Sequence, residues 1–126
     1  MNLLTLNPKL GHITTFGGHP INCAASMATL KHLLSSVILI QIEKKEQLFR
    51  NHLKHPKIKE IRGKGLMIAI EFEDEDLAKE VANKSLENGL ILFYFLFTKT
   101  AIRISPPLTI SEDEIIKGCR IITNLL

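Results

Sequence analysis

At 126 residues, with 45% hydrophobic and 23% charged residues, the chain has the length and composition of one ordinary folded domain, or of one part of a larger one. That balance excludes intrinsic disorder, collagen and a continuous coiled coil as overall descriptions. Sixteen Lys+Arg against thirteen Asp+Glu give a net charge of +3, with the two signs interspersed, so charge alone does not call for nucleic acid or an anionic membrane as partner.

Residues 1–19 carry Pro8, Gly11, Gly17 and Gly18 and keep neither a helical nor a strand period, so they read as an irregular arm. Pro20 suits the first turn of a helix, where a missing N–H costs nothing. Ile21, Ala24, Ala25, Ala28 and Leu33 follow at helical spacing, and the small residues among them predict close packing against another element. A second helix is predicted over 37–55, with Ile38, Ile42, Phe49 and Leu53 along one side and Glu43, Lys44, Lys45 and Glu46 largely elsewhere. Pro56 ends it. Residues 58–62 are short and mixed and precede Gly63-Lys64-Gly65, a tight turn. A strand is predicted over 66–72, with Leu66, Ile68, Ile70 and Phe72 sharing one face.

Asp74 or Asp76 caps the next helix, whose stripe is Leu77, Ala78, Val81, Ala82 and Leu86, and Asn88-Gly89 is a good C-terminal stop. Two further strands are predicted over 90–95 and 101–105. After Pro106-Pro107, Ser111 and Glu114 stand as N-cap and third helical residue of a capping box. The last helix presents Ile115, Ile116, Cys119, Ile122 and Leu126. These elements give an α/β or α+β layer arrangement: residues 1–56 form an arm and leading helices, and residues 57–126 a small α/β domain. The leading helices look too exposed to complete a fold alone, which points to a packing partner missing from this chain.

Several residues are candidates for chemistry. In Thr14-Thr15-Phe16-Gly17-Gly18-His19-Pro20, two hydroxyls and two glycines precede a helix start. Glycines let backbone approach a ligand, and free N–H groups at a helix N-terminus suit an anion. The same segment also reads as a plain helix-capping turn. In Ala101-Ile102-Arg103-Ile104-Ser105, alternation sets Arg103 on the face opposite Ile102 and Ile104. A guanidinium fixed on a strand is well built to take a carboxylate through two hydrogen bonds. A solvated surface arginine is the alternative. Arg62-Gly63-Lys64-Gly65 lacks the length and terminal Lys-Ser/Thr of a phosphate-binding P-loop. The five histidines form no zinc pattern, and the acidic run over 71–76 lacks the spacing of a calcium loop, so no metal site is predicted. Neither cysteine has a neighbouring His that would mark it as a nucleophile, and two are too few for a disulfide framework. The N-terminus lacks a signal peptide's basic and apolar regions, and the longest apolar runs are far short of the roughly 20 residues of a membrane span, so the expectation is a reduced, cytoplasmic protein.

The same segments carry a family likeness. Gly11-His12-Ile13-Thr14-Thr15-Phe16-Gly17-Gly18-His19-Pro20, followed by the alanine-rich helix, resembles the "ST-F/Y-GG-N-P" segment of class III (ornithine/acetylornithine-type) aminotransferases. Ile61-Arg62-Gly63-Lys64-Gly65-Leu66-Met67 resembles their "VRGKGLL", and Ile102-Arg103-Ile104-Ser105-Pro106-Pro107-Leu108 their "IRxxPPL". The resemblance implies fold type I, pyridoxal 5'-phosphate as cofactor, transfer of an amino group between an amino donor and a 2-oxo acid, and a homodimeric active site. It implies further that this chain is the C-terminal third of such an enzyme, the end of the large domain plus the small domain. The Schiff-base lysine then lies upstream, since none of the twelve lysines here stands in its motif, and the chain alone is expected to be inactive. By the same resemblance Thr15 matches the threonine that reaches the cofactor phosphate of the neighbouring subunit, Thr14 stands where serine is frequent, and Arg103 matches the arginine that binds a substrate carboxylate. His19 departs from the usual asparagine, residues 35–40 are more apolar than the family's linker, and residues 92–97 are unusually aromatic. The rival reading is a non-catalytic α/β regulatory or oligomerisation module. Nucleic-acid binding through Lys57, Lys59, Arg62 and Lys64 lacks aromatic interleaving and a basic surplus.

Overall fold

The computed structural model describes residues 14–95 and 97–126. The first thirteen residues of the predicted arm, including Gly11, His12 and Ile13 of the family-like segment, and Leu96 of the aromatic run lie outside them. The chain divides into two compact units, Met1–Val37 and Ile38–Leu126.

In the first unit, residues 15–18 form a turn and α1 spans Pro20–Ser35, with Pro20 at its start. None of its residues is buried, and Ile21, Met27, Leu30 and Leu34 are each more than half exposed. Among the described residues of this unit, the predicted stripe of small residues therefore has no partner.

The second unit begins with a single 3-10 turn, Leu39–Gln41, that runs into α2, Ile42–His52. The predicted single helix over 37–55 is thus shorter and has a 3-10 start. Phe49 and Leu53 are buried as predicted, but so is Lys45, which the helical pattern had set outward. Its aliphatic stem is covered and its Nζ donates to the Leu108 carbonyl at 2.8 Å. Because α2 contributes Phe49 and Leu53 to the core of the sheet, it belongs with residues that follow it rather than with the leading arm.

Four strands follow: β1 (Ile58–Lys64), β2 (Met67–Phe72), β3 (Phe93–Tyr94) and β4 (Ala101–Ile104), with α3 (Glu75–Glu87) between β2 and β3 and α4 (Glu112–Asn124) last. They form one antiparallel sheet in the order β1-β2-β4-β3. β1 occupies the segment read as mixed. A register shift between Ile58 and Glu60 breaks its alternation, which hid the strand in the sequence. β3 is reduced to two residues of the predicted 90–95.

The helix ends follow their capping chemistry. Asp74 accepts from the Leu77 N–H at 2.8 Å and opens α3. Ser111 accepts from the Glu114 N–H at 3.2 Å while Glu114 Oε2 accepts from the Ser111 N–H at 2.8 Å, completing the box at α4. Gly89, with φ 79°, closes α3 in the left-handed region.

Alternation places Ile68, Ile70 and Phe72 of β2 and Ile102 and Ile104 of β4 on one face of the sheet, all buried. Phe49 and Leu53 from α2, Ala78, Val81 and Ala82 from α3, and Ile115, Cys119 and Ile122 from α4 pack into the same cluster. The unit therefore has two layers, helices against one sheet face. One predicted core residue is misplaced: Leu86 is 62% exposed, and Ser85, one position earlier, is buried in its stead. The opposite sheet face carries Glu60 and Arg62 of β1, Met67, Ala69 and Glu71 of β2, Ala101 and Arg103 of β4, and Phe93 of β3.

Candidate functional site

The two candidate segments sit in different units of the chain. In the first, Thr14 and Thr15 are exposed and enter the turn before α1. The His19 N–H donates to the Phe16 carbonyl at 3.2 Å, and Asn22 Nδ2 donates to the same carbonyl at 3.2 Å. Gly17 packs against Thr14 so closely that a Cβ there would fall 1.9 Å from the Thr14 hydroxyl oxygen. Glycine is therefore what lets that hydroxyl fold over the turn. The helix start is uncapped: His19 accepts no side-chain capping bond, and the first turn holds no acidic residue. Exposed hydroxyls beside a helix N-terminus that no carboxylate has claimed form a set of donors that fits a phosphate group.

In the second unit, the β4 register fixes Arg103. It stands opposite Ala69 of β2 and Phe93 of β3, on the sheet face away from the helices. The Arg103 guanidinium carbon lies 5.2 Å from the centroid of the Phe93 ring, a cation–π distance. Its Nε is buried and without a hydrogen-bond partner, and among the described residues no carboxylate pairs with it. A fixed, half-buried guanidinium with an unpaired Nε–H is suited to an external carboxylate. Arg103 lines two adjoining hollows. One, of about 350 Å³, is bordered by Arg62, Gly63, Met67, Ile68, Ala69, Phe95 and Thr98. The other, of about 260 Å³, is mostly apolar and runs from Phe49 and Leu90 past Phe93 to Pro106 and Pro107.

The acidic groups near Arg103 are already engaged. Arg62 Nη2 lies 2.6 Å from Glu71 Oε2, and Arg62 Nη1 lies 3.5 Å from Glu60 Oε2. The Thr100 hydroxyl donates to Glu71 Oε1. These contacts hold the Glu71 carboxyl below its ordinary range, the Thr100 hydrogen bond first and the Arg62 pairing after it, against the opposing effect of burial. Arg62 is pushed upward in turn by the same pairing.

Of the predicted Gly63-Lys64-Gly65 turn, Gly63 and Lys64 instead end β1, paired with Ile68 and Met67, and the β1–β2 turn is Gly65-Leu66. Gly63 has φ 127°, and a Cβ there would sit 2.0 Å from the Met67 carbonyl oxygen. Glu46 of α2 accepts from the Gly65 N–H at 2.6 Å, while Arg50 pairs with Glu46 at 2.9 Å and donates to the Ile61 and Gly63 carbonyls at 2.8 and 2.9 Å. The turn is thus clamped to α2, and Arg62 is carried with it.

Cys119 is buried, and burial pushes its thiol up to about 12; Cys23 is exposed. Among the described residues no three His, Cys, Asp or Glu gather to hold a metal ion, and no single helix is long and apolar enough to cross a membrane. Sequence reading singled out Arg103 and the threonines as candidates; the placement of Phe93, Ala69 and the Arg62–Glu71 pair around Arg103 follows only from the strand register.

A family model for class-III aminotransferases matches residues 2–126. The chain is 39% identical over 120 residues to an acetylornithine aminotransferase of Caldanaerobacter subterraneus, covering 91% of this chain and 30% of that protein. It is 34% identical over 119 residues to the acetylornithine aminotransferase of Haemophilus ducreyi, covering 94% of this chain and 29% of that one. The crystal structure of acetylornithine aminotransferase from Elizabethkingia anophelis superposes with a TM-score of 0.77 at 34% identity, over 90% of this chain and 31% of the other. The chain therefore spans about 30% of the length of the relatives it matches. With the strand-borne arginine, the glycine turn and this match along nearly its whole length, the chain belongs to the class-III aminotransferase family.

Proposed function

We propose that this chain is the C-terminal segment of a pyridoxal-phosphate-dependent transaminase that moves an amino group between an amino donor and a 2-oxo acid. The observation that carries the reading is Arg103: a strand-fixed guanidinium that stacks on Phe93 and has no acidic partner among the described residues. In this reading Arg103 binds the carboxylate that amino acid and 2-oxo acid share, and so fixes the orientation of both substrates with one group.

Thr15 and Thr14, at the uncapped start of α1, would hold the coenzyme phosphate, with Thr15 reaching the site of the neighbouring subunit in a homodimer. The coenzyme, when bound, supplies the electron sink for the reaction. This chain's residues supply anchorage and charge complementarity. The lysine that bears the coenzyme belongs, on this reading, to the part of the enzyme that this chain does not span, so the chain by itself does not turn over. A cytoplasmic setting suits two unpaired cysteines.

The test is kinetic. In the complete enzyme, Arg103→Ala raises KM for 2-oxoglutarate and lowers kcat/KM by roughly 30- to 900-fold, about 2–4 kcal/mol of lost charge-assisted binding. An unchanged kcat/KM removes Arg103 from the site.

A further inference from the structure

Two arginines on the open sheet face compete for one carboxylate. Arg62 and Arg103 both lie opposite Ala69, one on each neighbouring strand. Glu71 is two residues along β2 from Ala69, so it projects from the same face and is the diagonal neighbour of both. At that diagonal spacing, roughly 7–8 Å between backbones, long side chains meet. The register alone therefore gives Glu71 a choice of partner. The structure resolves it in one direction: Arg62 Nη2 forms an ion pair with Oε2 at 2.6 Å, the Thr100 hydroxyl donates to Oε1, and Arg103 Nε is left without a hydrogen-bond partner.

We propose that Arg62 and Thr100 are positioning residues that hold Glu71 away from Arg103, so that the Arg103 guanidinium stays open to a substrate carboxylate. The inference rests on the reading of Arg103 given above. Three features support it. Each Glu71 carboxylate oxygen has its own contact, an ion pair with Arg62 of β1 at Oε2 and a hydrogen bond from the Thr100 hydroxyl at Oε1, rather than a single loose pairing. Arg62 is itself anchored, because the turn that follows it is tied to α2 through Glu46 and Arg50. Phe93 covers the opposite side of Arg103 and offers no competing acid. Without Arg62, Glu71 would be a half-buried carboxylate with an unpaired guanidinium within reach, and the two would close on each other. The chain's own acid would then compete with the ligand.

The test is a set of variants read in two ways. In the complete enzyme, the Arg103 Nε–H resonance is followed by NMR as 2-oxoglutarate is added, and KM for 2-oxoglutarate is measured beside kcat. Arg62→Ala should shift the Arg103 resonance before any ligand is added, and should weaken 2-oxoglutarate binding and raise KM by roughly five-fold with little change in kcat. Adding Glu71→Gln to Arg62→Ala should restore both the resonance and KM, because the competing charge is gone. Thr100→Val, a neutral change that keeps the backbone contact from Phe72, should act in the same direction more weakly and serves if Arg62→Ala folds poorly. If Arg62→Ala and Thr100→Val leave both readouts at the parent values while Arg103→Ala abolishes binding, the inference is overturned and the reading of Arg103 stands. If the loss in Arg62→Ala persists after Glu71→Gln, Arg62 acts only through general structure and the inference is likewise overturned. If Arg103→Ala changes nothing, both fall together.

Discussion

Replacing Glu46 by alanine removes the acceptor that ties α2 to the β1–β2 turn. In the parent, one carboxylate oxygen takes the Gly65 N–H at 2.6 Å and the other pairs with Arg50 at 2.9 Å. Arg50 in turn donates to the Ile61 and Gly63 carbonyls, so the carboxylate also sets the position of a second clamp. Two charge-assisted bonds at a largely covered carboxylate, with the Gly65 N–H left unpaired, are worth about 2–3 kcal/mol. For a unit of this size that corresponds to a fall in Tm of roughly 10–15 °C, read by far-UV circular dichroism. The pH dependence follows from the same contacts. The Gly65 N–H, and then Arg50, hold Glu46 below its ordinary value of 4.5. A group lowered in the folded state contributes stability that is present above its unfolded value and lost as pH falls through the folded one. The gap between the parent and Glu46→Gln should therefore be constant at neutral pH and close as pH drops below about 4.5. A Glu46→Ala chain that melts with the parent would show that the clamp does not hold the turn.

Gly63→Ala places a Cβ against the Met67 carbonyl at a φ that L-residues rarely adopt, and should cost about 3 kcal/mol in denaturant unfolding. An unchanged midpoint would mean that the hairpin relaxes freely. In the native 126-residue chain, an aromatic disulfide reagent at neutral pH should label Cys23 and spare Cys119, whose buried thiol is pushed up to about 12. Equal labelling of both thiols without denaturant would contradict the packing of α4.

Local chemistry made much of this fold legible. The capping box at Ser111, the Asp74 cap, the Asn88-Gly89 stop and the buried face of β2 are each decided within a few residues, and each appears where the pattern put it. Arg103 was legible for the same reason: in a strand, alternation alone sets a side chain opposite Ile102 and Ile104. What escaped depends on pairing between strands. β1 has only Ile58 and Ile61 to mark its inner side, and its register shift breaks their period. Lys45 faces the core because the Leu108 carbonyl, more than sixty residues on, takes its ammonium. Ser85 rather than Leu86 is buried on α3, a rotation of one position that helical spacing alone does not fix. Phe93 and the Arg62–Glu71 pair became visible only once Ala69 was seen between the two arginines.

The central claim is that the Arg103 guanidinium receives the substrate's carboxylate. A crystal structure of the complete protein with an unreactive 2-oxo acid analogue tests it most directly. The account predicts two roughly parallel contacts of about 2.7–2.9 Å from the Arg103 nitrogens to the ligand carboxylate, with Glu71 still on Arg62. A ligand carboxylate held by other groups, with Arg103 in solvent or paired to an acid of the protein, would contradict it.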